Sequence, residues 1–600
     1  MQAFNTDFDV VLGTFQYVIP YFQRSYVWKQ EQFEKFAEDM LYVTNGIANN
    51  GGLPFEYFMG TIISKQNQTP NADGYIQLDL VDGQQRITTF AIFFKVMSLV
   101  YNDATIFDKV FTFECGTVQQ RKIICKLKSS KADEEIMDKI LALQIDTALD
   151  LNGNPAPKDK WTKRGMPALL IAYNYFRDFL KKLQKEGLEI NPFYIRRGVK
   201  FINMTLFPPY DDEQVYFDNI NSLGVRLTTS AIIKNYVFQG SNKYEDYKKE
   251  WIPVFEKDER NKYWTGEGGK SNLDDFLFYY LQVKSFDKEN GVTKSDKALY
   301  SRKDAVANHI KNLCEKYLNK DKNFLLKDII AYADIYSKIV LDNIGIITTL
   351  GKKETVDDML ARLGYLIKKL KATTLIPYIL FVVKKNSNNE KETLAILKYL
   401  ESYLVRRSLT DLSSDNYNKY FREVLIAKNI ITITELKDEL LDTTNDRTTN
   451  MPTDKRILDY FCSLDYAGDN ETPKALLYLY ELELNKKYKS QVPLFAPDSY
   501  TLEHLMPQEL KPNWTRPDQT EDHICKIGNM GLLTQSLQSV VKNRVWKEKL
   551  EGYDGKPGIK QSSKGLYIME NVINQTDWNN TIIDSRTNEI VQGIINIWKA

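Results

Sequence analysis

The segment YIQLDLVDGQQRITTFAIFFKVMSLVY, residues 75–101, constrains the fold of this 600-residue chain more than any other. Ile76, Leu78 and Leu80 alternate with polar residues, which predicts a strand with one buried face. From Ile87 to Tyr101 the residues are apolar almost all round, as in a helix that is buried against a sheet. The polar DGQQR turn therefore joins a strand to a buried helix, and we expect an α+β domain around this unit.

The length of the chain exceeds what one hydrophobic core can hold, so we expect two to four domains of roughly 150 residues each. Charged amphipathic helices follow one another from about residue 240 to residue 430, and a polar stretch near residues 440–455 indicates a boundary. We predict an α+β domain at residues 1–240, an all-α connecting domain at 241–440 and a mixed C-terminal domain at 441–600. In the first domain we expect FMGTIIS to be a strand and Lys29 to Asn45 to be a helix that ends at Gly46.

Composition excludes several classes of protein. The 5 cysteines form no CxxC pair, which argues against a disulfide framework and a cysteine-rich zinc site. With 80 Lys+Arg against 79 Asp+Glu, the overall charge cannot by itself recruit nucleic acid. No run approaches the roughly 18 apolar residues of a membrane span, and the N-terminus has neither the basic nor the apolar region of a signal peptide. We therefore expect a cytoplasmic protein without a membrane partner.

Three polar clusters interrupt hydrophobic surroundings in the predicted N-terminal domain. They are Gln23 with Arg24, the run of Asp82, Gly83, Gln84, Gln85 and Arg86, and Asn219 with Asn221. A strand that delivers Asp-Gly-Gln-Gln-Arg to the start of a helix offers backbone N–H groups, a positive dipole end and a bidentate phosphate ligand. This is the outline of a polyphosphate site. Spacing alone leaves open that Arg86 and Arg24 simply form ion pairs with Asp79 or Asp82.

A second cluster lies near the C-terminus, in SYTLEHLMPQ at residues 499–508 and HICKIGNMGLLTQSLQSVVKNRVWKEKL at residues 523–550. Only 3 histidines occur in the chain, and His504 and His523 both lie here. A histidine beside an acid, followed by a proline and later by a Gly-Asn pair, supplies a general base, a metal ligand and an amide to hold the imidazole. A lone histidine is more often structural than catalytic. The order His, Pro, Asn, Asn nevertheless favours metal-assisted phosphodiester hydrolysis.

The N-terminal clusters lie in segments that resemble a known family. IPYFQRSYVW, VDGQQRITTF and FDNINSLGVRLT resemble the three signature segments of the GmrSD N-terminal domain. The resemblance implies a fold similar to ParB and sulfiredoxin, in which the DGQQR segment binds and hydrolyses a nucleoside triphosphate. It implies that Asp82 and Arg86 are catalytic, and that the nucleotide is bound by Gln23, Arg24, Asp82, Gly83, Gln84, Gln85, Arg86 and Asn221. The sequence has no GxxxxGK[ST] loop, which agrees with a nucleotide site of another design.

The C-terminal cluster resembles the GmrSD C-terminal domain, a branch of the HNH or ββα-metal nucleases. The family pattern runs EHxxPQ, GNL, then N and NxxFxxK on a helix. The resemblance makes His504 the general base, Glu503 an acid that helps to hold the metal, and Asn529 the catalytic residue that orients the base. Asn543, as a further metal ligand, matches the end of the pattern together with Trp546 and Lys549.

One position departs from the family pattern. Where the family usually places Asn as a metal ligand, or His in other HNH branches, this chain has Gln538. Glutamine keeps the carbonyl oxygen but adds a methylene, and Mg²⁺ tolerates little error in its short ligand distances. Gln538 therefore predicts either weaker metal binding or reduced cutting activity.

Lys and Arg outnumber the acids between residues 542 and 564. Beside a metal site, such a basic strip favours contact with a phosphate backbone, although a charge run is usually just a solvated face. Resemblance to the family extends to Arg406 and Arg407 in ILKYLESYLVRRSLT, and to the terminal pattern of Trp578, Ile582, Arg586 and Trp598. The middle helices match by pattern only.

The resemblance implies a bacterial anti-phage restriction enzyme, an α+β multidomain protein in which NTP hydrolysis licenses a nuclease domain. We expect Mg²⁺ or Mn²⁺ and GTP, UTP or ATP as cofactors, and double-stranded DNA, modified or from phage, as the partner, and we allow for a homodimer. Gln538 motivates a rival reading, a nucleotide-binding regulatory or toxin-like protein whose nuclease domain is weakened. A helical scaffold that uses neither site is a third reading, which leaves the two polar signatures without an explanation.

Overall fold

The computed structural model describes residues 2–8, 13, 15–23, 25–51, 55–66, 74–117, 120–207, 229–238, 244–265, 271–303, 305–340, 354–410, 412, 417–442, 449–489, 494–563 and 565–600. The chain forms two compact units, Met1–Tyr247 and Lys248–Ala600. Each unit contains both helices and strands, which confirms the predicted α+β multidomain class. The finer boundaries at residues 240 and 440 stay predictions.

A six-stranded mixed sheet lies at the centre of the first unit. The strands of this unit are β1 Gln2–Asp7, β2 Phe15–Val18, β3 Tyr57–Gln66, β4 Ile76–Asp82, β5 Thr112–Thr117, β6 Gln120–Cys125, β7 Leu127–Lys128 and β8 Val199–Leu206. The order across the sheet is β1, β8, β3, β4, β2, β7. β3 pairs in parallel with β8 and antiparallel with β4, while β2 runs parallel to β4. β5 and β6 form a separate antiparallel hairpin.

Helices cover this sheet. They are α1 Gln30–Asn49, α2 Gln84–Val100, α3 Thr105–Phe111, α4 Glu134–Ala142, α5 Ala168–Lys185, α6 Pro192–Gly198 and α7 Thr229–Phe238, with a further turn at Tyr244–Asp246. Every residue of α2 from Ile87 to Ser98 is buried, as its apolar sequence predicts. The ring of Phe93 lies 5.4 Å from Phe36 on α1 and 5.1 Å from Phe176 on α5. The predicted strand, turn and buried helix are therefore confirmed.

One predicted helix end is wrong. α1 continues through Gly46 to Asn49 instead of ending at Gly46. A Cβ atom at Gly46 would lie 2.7 Å from the ring of Phe55. The glycine allows this side chain to approach the helix, so its role is close packing and not helix termination.

The second unit is mainly helical. After a π-helix at Tyr247–Glu256, its helices are α8 Asp258–Thr265, α9 Asn272–Phe286, α10 Lys294–Tyr300, α11 Val306–Tyr317, α12 Lys322–Val340, α13 Val356–Lys369, α14 Ile376–Lys385, α15 Glu390–Arg407, α16 Ile433–Leu441, α17 Asp454–Tyr460, α18 Glu471–Tyr488, α19 Gln535–Val541, α20 Trp546–Glu551, α21 Ile559–Ser562, α22 Glu570–Ile573 and α23 Asn580–Ile597. Tyr417–Lys419 and Tyr420–Ile426 form a further helical segment. Its strands form two antiparallel pairs, β9 Tyr500–His504 with β10 Met530–Thr534, and β11 Gly552–Tyr553 with β12 Lys556–Pro557.

Buried polar contacts join the middle helices of this unit to its C-terminal part. Arg362 on α13 binds Glu401 on α15 through two hydrogen bonds of 2.8 and 2.9 Å, and Glu483 on α18 at 2.6 Å. The indole of Trp598 donates to Glu401, and Arg406 donates to the main-chain oxygen of Trp598 at 2.9 Å. Two segments that the sequence singled out, around Arg406 and around Trp598, therefore meet in one core.

Within the described ranges, the helices include none with the length and apolar character that crossing a membrane requires.

Candidate nucleotide and nuclease sites

The first candidate site lies at the turn between β4 and α2. Gly83 has a φ of 96°, and a Cβ atom there would lie 3.1 Å from Ile62 Cγ1 and 3.4 Å from the main-chain oxygen of Thr61. Only glycine combines this left-handed conformation with such a close approach. The N-cap residue, Gly83, has no side chain with which to cap the start of α2. The N–H groups of the first turn, at the positive end of the helix dipole, can therefore bind an anion.

Arg86 lies beside this turn and forms the ion pair that the sequence left open. Its Nη2 lies 3.0 Å from Oδ2 of Asp82 and also donates to the main-chain oxygen of Thr61. The side chain is 26% exposed, and its buried Nε has no hydrogen-bond partner among the described residues. The guanidinium is thus held at the start of α2 with part of its surface still accessible. Ion pairing with Asp82 and binding of a phosphate are compatible.

Gly60 is a residue that the sequence analysis missed. It lies at an irregularity of β3 with a φ of 118°, and a Cβ atom there would lie 3.3 Å from the guanidinium carbon of Arg86. The absence of a side chain makes room for the arginine. A glycine inside a predicted strand is a known signal for a bulge or a close approach, and it could have identified this position.

Gln23 and Gln85 support the turn. Gln23 Nε2 donates to the main-chain oxygen of Leu80 at the end of β4. Gln85 accepts from the main-chain nitrogen of Val27 at 2.9 Å and donates to the main-chain oxygen of Ser25 at 3.3 Å. The two carboxamides therefore fix the segment that follows β2 against the start of α2. Their amide groups bind backbone, which makes them supports of the site more than direct phosphate ligands.

The remaining residues of the N-terminal prediction divide into two groups. Gln84 is buried at the first position of α2. Arg24, Asn219 and Asn221 lie outside the described residues. The structure thus brings together Asp82, Gly83 and Arg86, with Gln23 and Gln85 behind them.

The second candidate site is built on two strands and a helix. β9 and β10 are antiparallel, with His504 opposite Met530 and Glu503 opposite Gly531. β10 leads directly into α19. A Cβ atom at Gly531 would lie 3.0 Å from Met569 Sδ, so the small residue allows close packing behind the strand pair.

A polar cleft of about 520 Å³ opens between these elements. It is lined by Glu503 and His504 of β9, by Gln538 of α19, and by Gln508 and Lys542 from the segments that follow these two elements. Burial lowers the pKa of His504, and the positive charge of Lys549 lowers it further. The imidazole is therefore neutral at neutral pH, the form that can accept a proton.

Glu503 carries a buried counter-ion that the sequence analysis did not assign to it. Lys549 Nζ lies 2.9 Å from Glu503 Oε1 and 3.0 Å from the main-chain oxygen of His504. Burial lowers the pKa of Lys549, while the Glu503 carboxylate opposes this shift. One oxygen of Glu503 is therefore already bound. Because Lys549 is fully buried, its inclusion in the solvent-facing basic strip was wrong.

Asn529 holds the backbone next to His504. Its Oδ1 accepts from the main-chain nitrogen of Met506 at 2.7 Å and from Trp578 Nε1 at 2.9 Å. Its Nδ2 donates to the main-chain oxygens of Met506 and Ile524, each at 2.8 Å. These four bonds do not include the imidazole. Asn529 thus fixes the loop after the histidine, and these contacts link it to His504 through the backbone and not through the imidazole.

The two other predicted metal ligands differ in position. Gln538 lines the cleft, and its Nε2 donates to the main-chain oxygen of Leu502 at 3.2 Å, which leaves the carboxamide oxygen as the atom for a cation. Asn543 is not among the residues that line the cleft. Its Oδ1 is buried and has no hydrogen-bond partner among the described residues. The structure therefore brings Gln538 to Glu503 and His504 but not Asn543.

The described part of the chain contains no group of three or more His, Cys, Asp or Glu side chains arranged to hold a metal ion. The cleft instead offers one carboxylate, one imidazole and several carboxamides. Mg²⁺ is often bound by only one or two carboxylates, with waters and substrate phosphates completing its shell. The residues present fit such an ion, and they do not fit one that requires a full protein cage.

His523, the other histidine of the cluster, lies apart in a set of local contacts. Its Nε2 lies 3.2 Å from Asp584 Oδ2, and its Nδ1 lies 3.2 Å from the hydroxyl of Thr520. It is not among the residues lining the cleft. These contacts favour a structural role for His523.

A neutral histidine beside a carboxylate and carboxamides, in a polar cleft of a multidomain α+β protein, defines a candidate hydrolase of the kind that cuts phosphodiesters. Residues 8–238 match the family model for the N-terminal domain of the GmrSD restriction endonuclease, and residues 451–592 match the model for the C-terminal domain of GmrSD restriction endonucleases. Together the two matches cover more than half of the chain, which belongs to the GmrSD restriction endonuclease family. The search of curated proteins gave no match. Membership implies a nuclease that acts on DNA in restriction.

Proposed function

We propose that this protein is a Mg²⁺- or Mn²⁺-dependent DNA endonuclease whose cutting is licensed by NTP binding and hydrolysis at its N-terminal site, in defence against phage. The observation that carries the proposal is the cleft in which His504, Glu503 and Gln538 meet. In this reading β9, β10 and α19 are the ββα-metal core of an HNH-type domain, and the first unit has the ParB/sulfiredoxin-like fold.

His504 acts as the general base. Its lowered pKa keeps the imidazole neutral, so that it can take the proton of the attacking water. Lys542 lines the same cleft and supplies positive charge against the phosphate backbone. Asn529 and Lys549 hold the backbone on either side of this base. The chain thus provides a proton acceptor in a fixed position and a cation for the anionic substrate.

The metal would be held by the second oxygen of Glu503 and the carboxamide oxygen of Gln538, with DNA phosphate and water completing the shell. When bound, the ion would supply positive charge against the negative charge of the phosphodiester. Asn543 is left out of this set because it does not line the cleft. One carboxylate and one glutamine make a weak site, so we expect a high metal requirement.

The N-terminal site would bind the nucleotide through its phosphates. The uncapped first turn of α2 offers N–H donors, and Arg86 presents a partly exposed guanidinium beside them. Asp82 is then placed to bind the cation that accompanies the nucleotide. Cleavage assays with GTP, UTP or ATP would identify the preferred nucleotide.

The test is cleavage of plasmid DNA and of modified phage DNA, with and without Mg²⁺ and each nucleotide. Glucosylated hydroxymethylcytosine DNA and phosphorothioate DNA are the two modified substrates, because the resemblance to the family implies one or the other as a target. We expect one of these DNAs to be cut only when both Mg²⁺ and one NTP are present. Equal cutting with and without nucleotide would contradict the licensing role.

A second candidate function is supported by the contacts of the predicted metal ligands. Glu503 is ion-paired with Lys549, and Gln538 donates to Leu502. The ion pair occupies one oxygen of Glu503 and offsets its negative charge, and the bond to Leu502 holds the Gln538 carboxamide in one orientation, so both contacts limit how the side chains can adapt to a metal ion. They favour a nucleotide-binding regulatory protein with a weakened nuclease. NTP hydrolysis without cleavage of any of these DNAs, at Mg²⁺ or Mn²⁺ up to tens of millimolar, would support it.

A further inference from the structure

Lys549 is a fully buried cation that contacts two residues lining the cleft. The residue is 0% exposed, and its ammonium group contacts Glu503 Oε1 and the main-chain oxygen of His504. Both contacts are made with the two residues of the EH pair that line the cleft. A buried ammonium is costly unless it is well paired. The contacts therefore identify Lys549 as a specific partner of β9 and not as a surface lysine that happens to be covered.

Helix α20 is anchored so that this lysine points at β9. Trp546, one turn earlier on the same helix face, stacks on Trp578 with ring centroids 4.7 Å apart. Its indole nitrogen also donates to the main-chain oxygen of Gln575 at 3.2 Å. Trp578 in turn binds Asn529, which fixes the loop after His504. The base is thus held on one side through Asn529 and on the other through Lys549.

We propose that Lys549 is a positioning residue of the nuclease site, which fixes the end of β9 so that His504 faces the cleft and Glu503 presents a single free carboxylate oxygen. The proposal rests on the proposed nuclease function. Lys549 itself is buried and is not among the residues that line the cleft, so it would act through Glu503 and His504.

The presence of a lysine at position 549 favours a role in positioning the site over a role in stabilising the fold. Replacing a buried ion pair by apolar side chains of similar volume is often neutral or even stabilising. A core at this point could therefore have used Met and an apolar partner. Apolar side chains could not replace the ammonium group in one respect. It binds the Glu503 carboxylate and the His504 carbonyl at the same time, and so sets the distance between them.

The same pairing fits the electrostatics of the substrate. The cleft must accept an anionic phosphodiester, and an unpaired carboxylate at Glu503 would repel it. Lys549 neutralises one negative charge from behind, while Lys542 adds a positive charge among the residues that line the cleft. The cleft thus keeps an oxygen ligand without becoming acidic.

The test compares four variants of the full chain, at a temperature where each is folded. Lys549→Met removes the ammonium and keeps the length of the side chain. Lys455→Met, which replaces an exposed lysine on α17 of the same unit and outside the basic strip, is the control. Glu503→Gln and the double variant Glu503→Gln/Lys549→Met separate the two contacts. In the double variant no charge is left unpaired, so it should fold even if Lys549→Met alone does not.

The first readout is cleavage. We expect Lys549→Met to lower kcat by tenfold to a hundredfold, as is typical for groups that orient catalytic ligands, with less than a threefold change in KM. Lys455→Met should cut as the wild type does. The double variant should be slower than Glu503→Gln alone, because Glu503→Gln keeps the bond from Lys549 to the His504 carbonyl and the double variant loses it. Equal rates for the double variant and Glu503→Gln would overturn the proposal.

The second readout needs no cleavage activity. With 3 histidines in the chain, ¹³Cε1-labelled histidine gives one NMR signal each for His309, His504 and His523. We expect the Glu503→Gln/Lys549→Met variant to move or broaden the His504 signal relative to Glu503→Gln, with the other two unchanged. An unmoved His504 signal would overturn the positioning role. If the wild type cuts no DNA but this signal moves, the proposed nuclease function has failed and the positioning has not.

Discussion

The indole nitrogen of Trp578 donates a 2.9 Å hydrogen bond to Oδ1 of Asn529, the residue directly before β10. The same oxygen accepts from the main-chain nitrogen of Met506, two residues after His504. A residue near the end of the chain thus helps to fix the loop beside the candidate base.

We expect Trp578→Phe to weaken this arrangement while keeping an aromatic ring against Trp546. Loss of a buried hydrogen-bond donor should lower the free energy of unfolding by about 1 to 3 kcal/mol, measured by urea denaturation. Trp161→Phe is the control, because it loses an exposed bond to Asp178 in the other unit. An unchanged unfolding free energy for Trp578→Phe would show that the bond contributes nothing.

Arg86→Ala should abolish NTP hydrolysis and leave the fold intact, because it removes a phosphate ligand and not part of the core. Losing a charge-assisted contact should lower nucleotide affinity at least about tenfold, measured by titration calorimetry. Arg121→Ala, an exposed arginine whose ion pair with Glu114 is on the β5–β6 hairpin, is the matched control. Normal turnover by Arg86→Ala would remove Arg86 from the site.

The turn around Arg86 shows what sequence can predict. The alternation in β4 and the all-round apolar pattern of α2 are local, and both elements form where they were expected. The roles of Gln23 and Gln85 depend on backbone 57 to 60 residues away in sequence, which no local pattern encodes. The predicted helix end at Gly46 was wrong because the side chain of Phe55 packs against this glycine, and the helical pattern does not reveal that contact.

In the nuclease segment, too, the sequence predicted some features and not others. The spacing of the EH pair, the Gly-Asn pair and the following helix brings His504 and Gln538 into one cleft, as the resemblance implied. The partner of Glu503 and the actual contacts of Asn529 were not foreseen. Charge counting placed Lys549 on a surface strip, since counting cannot distinguish a buried lysine from an exposed one.

The pH dependence of cleavage follows from the environment of His504. Burial and the Lys549 charge lower its pKa below the ordinary value of 6.5. The neutral, base-competent form then persists as the pH falls through 6.5, and it is lost only at lower pH. We expect kcat at saturating Mg²⁺ to stay level down to that pH and to fall only below it. A half-maximal rate at or above 6.5 would contradict the assignment of this base.

Variants of Gln538 test which side chains bind the metal ion. If its carboxamide oxygen is a strained ligand, Gln538→Asn should lower the Mg²⁺ concentration needed for half-maximal cleavage, because Mg²⁺ demands short, fixed ligand distances. Gln538→Ala should raise that concentration. Cleavage by Gln538→Ala at the wild-type metal concentration would mean that the cation is held by Glu503 and water alone. Metal titration of the three proteins side by side decides between these outcomes.

The most direct test of the central claim is His504→Ala, assayed for DNA cleavage and NTP hydrolysis in the same preparation, with His523→Ala as the control. Losing the general base should slow cleavage by roughly 10² to 10⁴, while NTP hydrolysis continues because the nucleotide site lies in the other unit. His523→Ala should cut normally. Cleavage by His504→Ala at the wild-type rate would contradict a nuclease site at this cleft.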